Sequence, residues 1–396
     1  MKTILFASFI LNLVNCFTES YKDSSNKMGG SRIKKCSSDN KFGSFLSETL
    51  FDKVYGDQFS GKLNESECSG DSDEVKCSLD GLLIHHDLPH SHWLEYKTIF
   101  DKAYDSHRDE MAALSQWRRN LKLIAEHNRR FLAGEISYTL HLNQFADWHP
   151  EEYFKKILKL FDTIPLLDPA LDIHRSHYRH SANKAIPDRV DWRAKGFKPK
   201  LEEQWQCGAC YAFAVAHAVQ AQLYKKHGLW GELSPQQIVD CSAADGNEGC
   251  DGGSLRGAFR YAARSGLVSE QYYPYTGKKG HCKSSALLAR TKPKNWAMLP
   301  FGDEDAMEKA LATIGPLAVG VNASPFTFQL YRSGVYDDPF CVPWALNHAM
   351  LLVGYTPDYW ILLNWWGKKW GEDGYMRIRR GYNRCGVANM AAYVVL

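Results

Sequence analysis

The chain has 396 residues, an apolar fraction of 44% and a formal net charge of +3. That length is enough for one large catalytic domain or two domains around a sizeable core. The near-neutral balance leaves no electrostatic footprint for nucleic acid, so no nucleic-acid partner is expected.

The opening "MKTILFASFILNLVNC" sets one lysine before an apolar run from Ile4 to Val14. Val14 and Cys16 fit the −3 and −1 positions of a cleavage site before Phe17. Residues 1–16 therefore read as a secretory signal, too short for a bilayer span. No later stretch is long and apolar enough to cross a membrane. The expectation is a soluble protein of the secretory pathway, secreted or lysosomal/endosomal, with no membrane partner. Eleven cysteines favour disulfides in such a compartment. Asn64 and Asn322 head glycosylation sequons.

Residues 17–90 are rich in Ser, Asp, Lys and Gly and read as a loop-rich extension holding Cys36, Cys68 and Cys77. Their pairing is not legible. From Trp93 the texture changes: Trp93, Tyr96 and Phe100, then Leu114, Trp117, Leu121 and Ile124, recur at helical spacing. Two amphipathic helices are predicted, the second stopping near Gly134. "YTLHLNQFADWHPEEYFKK" alternates like a short strand, then starts a helix at Pro150 with an acidic first turn. Residues 161–185, with prolines and spaced histidines, suit an exposed linker. Residues 186–396 look like one compact domain. Its first half is helix-forming, and "GPLAVGVNA" and "YWILLNWWG" in its second half read as strands.

Histidines cluster at His85, His86, His90 and His92 and again at His174, His177 and His180. The plain reading is a solvated tract; a pH switch is the alternative, with a metal site behind both.

The stretch "QWQCGACYAF" (residues 204–213) puts Cys207 and Cys210 three positions apart. Zinc would need a second ligand pair, and no second CxxC occurs. A redox pair would need a thioredoxin-like βαβ unit, which the pattern lacks. The third reading is one disulfide half beside one reactive thiol. It requires an oxyanion donor, a histidine base and an orienting group elsewhere. "LNHAMLLVGY" offers His348, 138 residues after Cys210, and "YWILLNWWG" offers Asn364, 154 after it.

With these motifs in this order, the chain from about Trp93 to Leu396 resembles the papain-like cysteine proteases of cathepsin L type. The resemblance implies an α+β fold with a helical left lobe and a β-barrel-like right lobe, preceded by a helical inhibitory prosegment. Residues 91–160 would be that propeptide, residues 161–185 the linker and residues 186–396 the peptidase, with cleavage near Ala185–Ile186. Cys210 would be the nucleophile, activated by the positive end of the helix it begins and by His348 as a thiolate–imidazolium pair. Asn364 would orient the imidazole, and Trp366 would cover that bond. Gln204 and the Cys210 N–H would form the oxyanion hole.

Gly252 and Gly253 match the family's substrate-binding glycine wall, and Leu255, Gly320, Leu346, Ala349 and Met390 its main side-chain pocket. That pocket should favour an apolar residue second from the cut. The implied disulfides are Cys207–Cys250, Cys241–Cys282 and Cys341–Cys385. No cofactor or metal is implied; the partners would be protein and peptide substrates and the chain's own propeptide, and the molecule a monomer. A catalytically silent binding protein or a peptide ligase on the same machinery is the alternative.

The departures are specific. Trp205 replaces a glycine, Trp365 replaces a serine, and Tyr211 replaces a tryptophan; the first two are expected to reshape the cleft rim. In the prosegment, Trp117, Asn120, Ile124 and Asn128 keep a helical signature, and Asn143, Phe145 and Asp147 keep a second one. His141 there replaces a glycine. Asp109 stands for glutamate and Ala113 for arginine, which predicts a lost salt bridge and a looser helix pair.

Overall fold

The computed structural model describes residues 90–161, 186–228, 231–283 and 291–396. The expected leader, most of the extension (with Cys36, Cys68, Cys77 and Asn64), the linker, and His85, His86, His174, His177 and His180 lie outside the described residues.

Helix α1 (His90–Ile99) and helix α2 (His107–Leu132) cross through an aromatic contact. Trp93 meets Trp117 edge-on at 5.5 Å and stacks on Tyr96 at 5.6 Å. α2 starts where Ser106 accepts the Asp109 N–H, and it ends just before Gly134 at φ 76°. Ala113 does not leave the pair loose. Glu110 on α2 instead takes the Lys97 ammonium of α1 and the Trp93 indole N–H at 3.2 Å. This ion pair is partly solvated, so aromatic burial carries most of the association.

A short strand β1 (Tyr138–Leu140) follows, clamped by Asn128, whose side chain both donates to and accepts from Leu140 at 2.9 Å. Asp147 is buried and accepts from Tyr96 Oη, Tyr104 Oη and Lys102 Nζ at 2.7–2.8 Å. His141 keeps an ordinary φ and is exposed, so glycine is not required there. Helix α3 (Pro150–Ile157) closes this unit, with Pro150, Glu151 and Glu152 in its first turn.

The rest builds two lobes. Helices α4 (Cys210–His227), α5 (Pro235–Cys241) and α6 (Leu255–Ser265) pack on one another. The other lobe holds β3 (Asn295–Met298), β4 (Leu317–Val321), β5 (Tyr331–Tyr336), β6 (His348–Tyr355), β7 (Tyr359–Leu363), β8 (Tyr375–Arg379) and β9 (Ala391–Val395). They form an open path in the order β1-β5-β8-β7-β6-β4-β9-β3, and β2 (Val190–Asp191) adds to β6. β1 of the N-terminal unit therefore extends the same sheet, with Tyr138 opposite Gly334. β6 is buried along its whole length, and α4 packs against it, which brings the first turn of α4 to the sheet.

Three disulfides staple the lobes: Cys207–Cys250, Cys241–Cys282 and Cys341–Cys385. With separations of 41 to 44 residues, chain-entropy arguments assign each about 4 kcal/mol. The sequon at Asn322 is corrected by its surroundings. That side chain is buried, donates to Val342 O at 3.0 Å and accepts from Ser324 N at 3.0 Å, so it is not open to a glycan in the folded domain. Among the described residues no helix is long and apolar enough to cross a membrane.

His127 on α2 sits at the junction between the N-terminal unit and the sheet. Its Nε2 lies 3.1 Å from Tyr138 O, and its ring lies 4.5 Å from Tyr138, which packs on Tyr336 of β5. Burial, with Arg130 nearby, lowers its pKa from 6.5 to about 4. The docked state thus favours the neutral ring: the stability it contributes is present above pH 6.5 and lost as pH falls toward 4. Between pH 7 and pH 4.5 this amounts to about 2 kcal/mol. His127→Gln is expected to reduce the drop in melting temperature between those pH values. An identical drop in both proteins would remove His127 from the acid response.

Candidate active site

Three of the helices that pack around the site carry side-chain N-caps: Ser234 on α5, Ser254 on α6, and Asp303 on α7 (Glu304–Thr313). α4 does not. Its N-cap is Ala209, with no side-chain hydrogen bond, and the next residue is Cys210. The positive end of a long buried helix therefore falls on a thiol. Cys210 is the free cysteine among the described residues, and it is fully buried.

His348 opens β6 and Asn364 follows β7, its antiparallel neighbour. This pairing sets His348 Nε2 2.7 Å from Asn364 Oδ1. Asn364 Oδ1 also accepts the Trp365 N–H at 2.8 Å, which leaves the imidazole Nε2 as the donor in the first bond. The other ring nitrogen, Nδ1, is buried with no hydrogen-bond partner. The ring of Trp366 stacks on His348 at 4.7 Å and 29°. Gln204 is held through its backbone, donating to Trp365 O at 2.9 Å and accepting from Tyr275 Oη at 2.8 Å. Its side-chain Nε2 donates to Cys207 O at 2.9 Å and to Ile157 O at 3.4 Å.

Ile157 belongs to the N-terminal unit, and the residues after it run straight across the site. Lys159 O accepts from Gly253 N at 3.2 Å, Phe161 N donates to Gly253 O at 2.8 Å, and Leu160 N donates to Asn347 O at 3.0 Å. Leu160 and Gly253 thus form a parallel bridge. The glycines around this strand are required by contact. A Cβ on Gly208 would stand 2.4 Å from Lys159 Cβ, and one on Gly252, at φ +122°, would stand 2.4 Å from Lys159 O. Tyr211 closes the wall beneath, its hydroxyl donating to Gly249 O at 3.1 Å.

Leu160 also reaches the expected side-chain pocket. A Cβ on Gly320 would lie 3.2 Å from Leu160 Cδ2 and 3.0 Å from Met390 Sδ. Ala349 is the register partner of Gly320 and is fully buried; Leu346 is half-buried on the approach to β6. Leu255 is buried at the start of α6, beyond the glycine wall. The strand that fills this space was not expected from the sequence. Its signal was the apolar Leu158, Leu160 and Phe161 placed immediately after a helix.

The cover changes the protonation state. Burial pushes the Cys210 thiol up to about 12, against opposing backbone contacts from Ala349, Tyr211 and Lys159. Burial likewise lowers His348 to about 4, and the Asn364 bond only partly offsets it. Burial thus favours the neutral form of both groups in this covered state; the thiolate–imidazolium pair expected for catalysis concerns the uncovered site.

Of the two bulky departures, Trp365 differs from expectation and Trp205 stands at the surface. Trp365 does not shape a rim; it is fully buried beneath the site. Trp205 is half exposed at φ 48°, a backbone region that explains the usual glycine. Its indole leans onto Tyr275 at 5.5 Å and over Gly277. With Glu203, Gln206, Trp366, Phe145 and Trp148 it borders a cavity of about 1170 Å³ between the N-terminal unit and the peptidase-like lobes. Among the described residues no His, Cys, Asp and Glu group is placed to hold a metal ion.

Comparison with known proteins agrees with this arrangement. Residues 186–395 match the family model for papain family cysteine proteases, and residues 93–153 match the cathepsin propeptide inhibitor domain. Bovine (Bos taurus) cathepsin S is 37% identical over 326 residues, covering 80% of this chain and 96% of the relative. Cathepsin L of the fly Sarcophaga peregrina is 36% identical over 315 residues, covering 78% and 93%. Among solved structures, digestive procathepsin L 3 of Tenebrio molitor superposes with a TM-score of 0.70 at 34% identity, covering 77% of this chain and 98% of that one. The helical unit before the cleft is thus a cathepsin-type propeptide, and the chain belongs to the papain family of cysteine proteases.

Proposed function

We propose that the protein is a cysteine endopeptidase made as a zymogen, with Cys210, His348, Asn364 and Gln204 as its catalytic groups. The observation that carries this reading is their convergence. The unpaired thiol at an uncapped helix start, the 2.7 Å His348–Asn364 bond and the Gln204 amide surround one strand of the propeptide.

Once the propeptide leaves, water reaches the pair, and the desolvation that keeps both groups neutral is relieved. The Cys210 thiol passes its proton to His348, and the thiolate Sγ bonds to the scissile carbonyl carbon as the carbonyl electrons move onto an oxyanion. Gln204 Nε2, freed from Ile157 O, and the Cys210 N–H donate to that oxygen. The C–N bond breaks, and the proton held by His348 passes to the departing amine. Water, deprotonated by the neutral imidazole, releases the acid and regenerates the thiol. Asn364 holds the ring throughout, and the Trp366 ring shields their bond.

Residues 158–161 inhibit by occupying the ground that a substrate needs. Leu160 fills the pocket at Gly320 and Met390, which supports a preference for an apolar residue second from the cut. The three disulfides fit maturation in an oxidising, secretory-route compartment, secreted or lysosomal.

Two measurements test the proposal. Cys210→Ala, processed in trans, is expected to reduce turnover of a fluorogenic peptide with leucine second from the cut by at least about 1000-fold. Turnover equal to wild type would refute the nucleophile. Iodoacetamide labelling of Cys210, followed by peptide mass spectrometry at pH 7, is expected to be at least about 100-fold slower in the intact chain than after propeptide removal. Equal labelling rates would refute the covered, neutral thiol.

A further inference from the structure

Trp365 bonds to Asn364 and Gln204 of the proposed catalytic set and contacts neighbours of the other two. Its N–H donates to Asn364 Oδ1 at 2.8 Å, the oxygen that also binds His348. Its carbonyl accepts the Gln204 N–H at 2.9 Å. Its indole N–H donates to Ala349 O at 2.9 Å, one residue beyond His348. Its ring stacks on Phe213 at 5.4 Å and 21° and lies 4.6 Å from His217, both on the helix that begins with Cys210. The backbone ties are open to any residue; the last two contacts need the indole.

His217 is itself unusual. It is buried, with Nδ1 3.0 Å from Phe213 O and Nε2 3.2 Å from Glu202 Oε2. A backbone carbonyl only accepts, so Nδ1 carries a hydrogen. Nε2 then faces a carboxyl group, and the contact is a hydrogen bond only if one more proton lies between them. Two further groups face it: Lys200 Nζ, 3.9 Å from Glu202 and 3.3 Å from Glu270, and Glu270 itself. Burial and the neighbouring Glu202 push the Glu270 carboxyl up to about 7. In its charged form the imidazolium lies against the indole face, where the ring quadrupole attracts it. Glu202 also accepts the Gly367 N–H through its carbonyl at 3.1 Å, so the pair is continuous with the turn after Trp366.

We propose that Trp365 is a positioning residue whose indole, seated on Phe213 and on the buried His217 beside Glu202, braces the Cys210 helix against the His348–Asn364 strands. The inference rests on the catalytic roles proposed above. It adds a buried brace behind the cleft that touches neither substrate nor the reacting atoms.

The test uses the processed enzyme with Trp365→Phe, which keeps a ring on Phe213 and removes the N–H to Ala349, and with His217→Gln. The expected result for Trp365→Phe is a three- to tenfold lower kcat at unchanged KM, with about threefold for His217→Gln. The Asn364 bond is what raises the His348 pKa, so loosening it should move the alkaline limb of kcat/KM about 0.5 unit toward lower pH. A lower melting temperature with kcat and both pH limbs unmoved would make Trp365 a core filler and overturn the inference. Cys210→Ala, measured alongside, separates the two readings. If it still turns over substrate, the catalytic reading fails and the brace with it. If its turnover is lost while Trp365→Phe and His217→Gln match wild type, the brace alone fails.

Discussion

The backbone pairing of residues 159–161 with Gly253 and Asn347 is the constraint on which the rest of the covered structure depends. Three hydrogen bonds fix an extended strand above Cys210 and His348. From that single placement follow the exclusion of water, the neutral thiol and neutral imidazole, the filled apolar pocket and the engaged Gln204 amide. The strand is held at its upstream end by helix α3 and, through β1, by the same sheet that carries His348. The propeptide thus joins the fold at two places, as the edge strand β1 of the sheet and as an extended segment bridged to Gly253.

Local rules account for much of what the sequence made legible. A cysteine before an apolar helical run, short apolar runs that form buried strands, and Pro150 with an acidic first turn each follow from short-range physics. The four candidate groups were legible because their motifs, in their order, resemble those of the papain-like family. Pairings between distant segments were not. Nothing local in "LKLF" says that it will lie along Gly253, because one extended strand can dock on many glycine edges. Protonation states were equally hidden, since burial, and not residue type, put both groups in their neutral forms.

The departures from family pattern show how a fold absorbs substitution. Ala113 removes an expected arginine, and Glu110 forms a bridge to Lys97 from a nearby position on the same helix. Trp365 was expected at the surface because bulk beside a catalytic asparagine suggests a rim. Its backbone register points it inward, where Phe213 and His217 receive it. Periodicity gave no warning, because the residue lies just past the end of β7, where alternation no longer applies.

Trp205 and Gly277 illustrate a last point. An indole at 205 lies so close that a Cβ on 277 would stand 2.4 Å from its Cε3. Residue 277 sits at φ +67°, a region that asparagine can enter and that alone would not demand glycine. The indole removes that latitude. The two positions, far apart along the chain, thus carry one joint choice: a large residue at the first compels the smallest at the second.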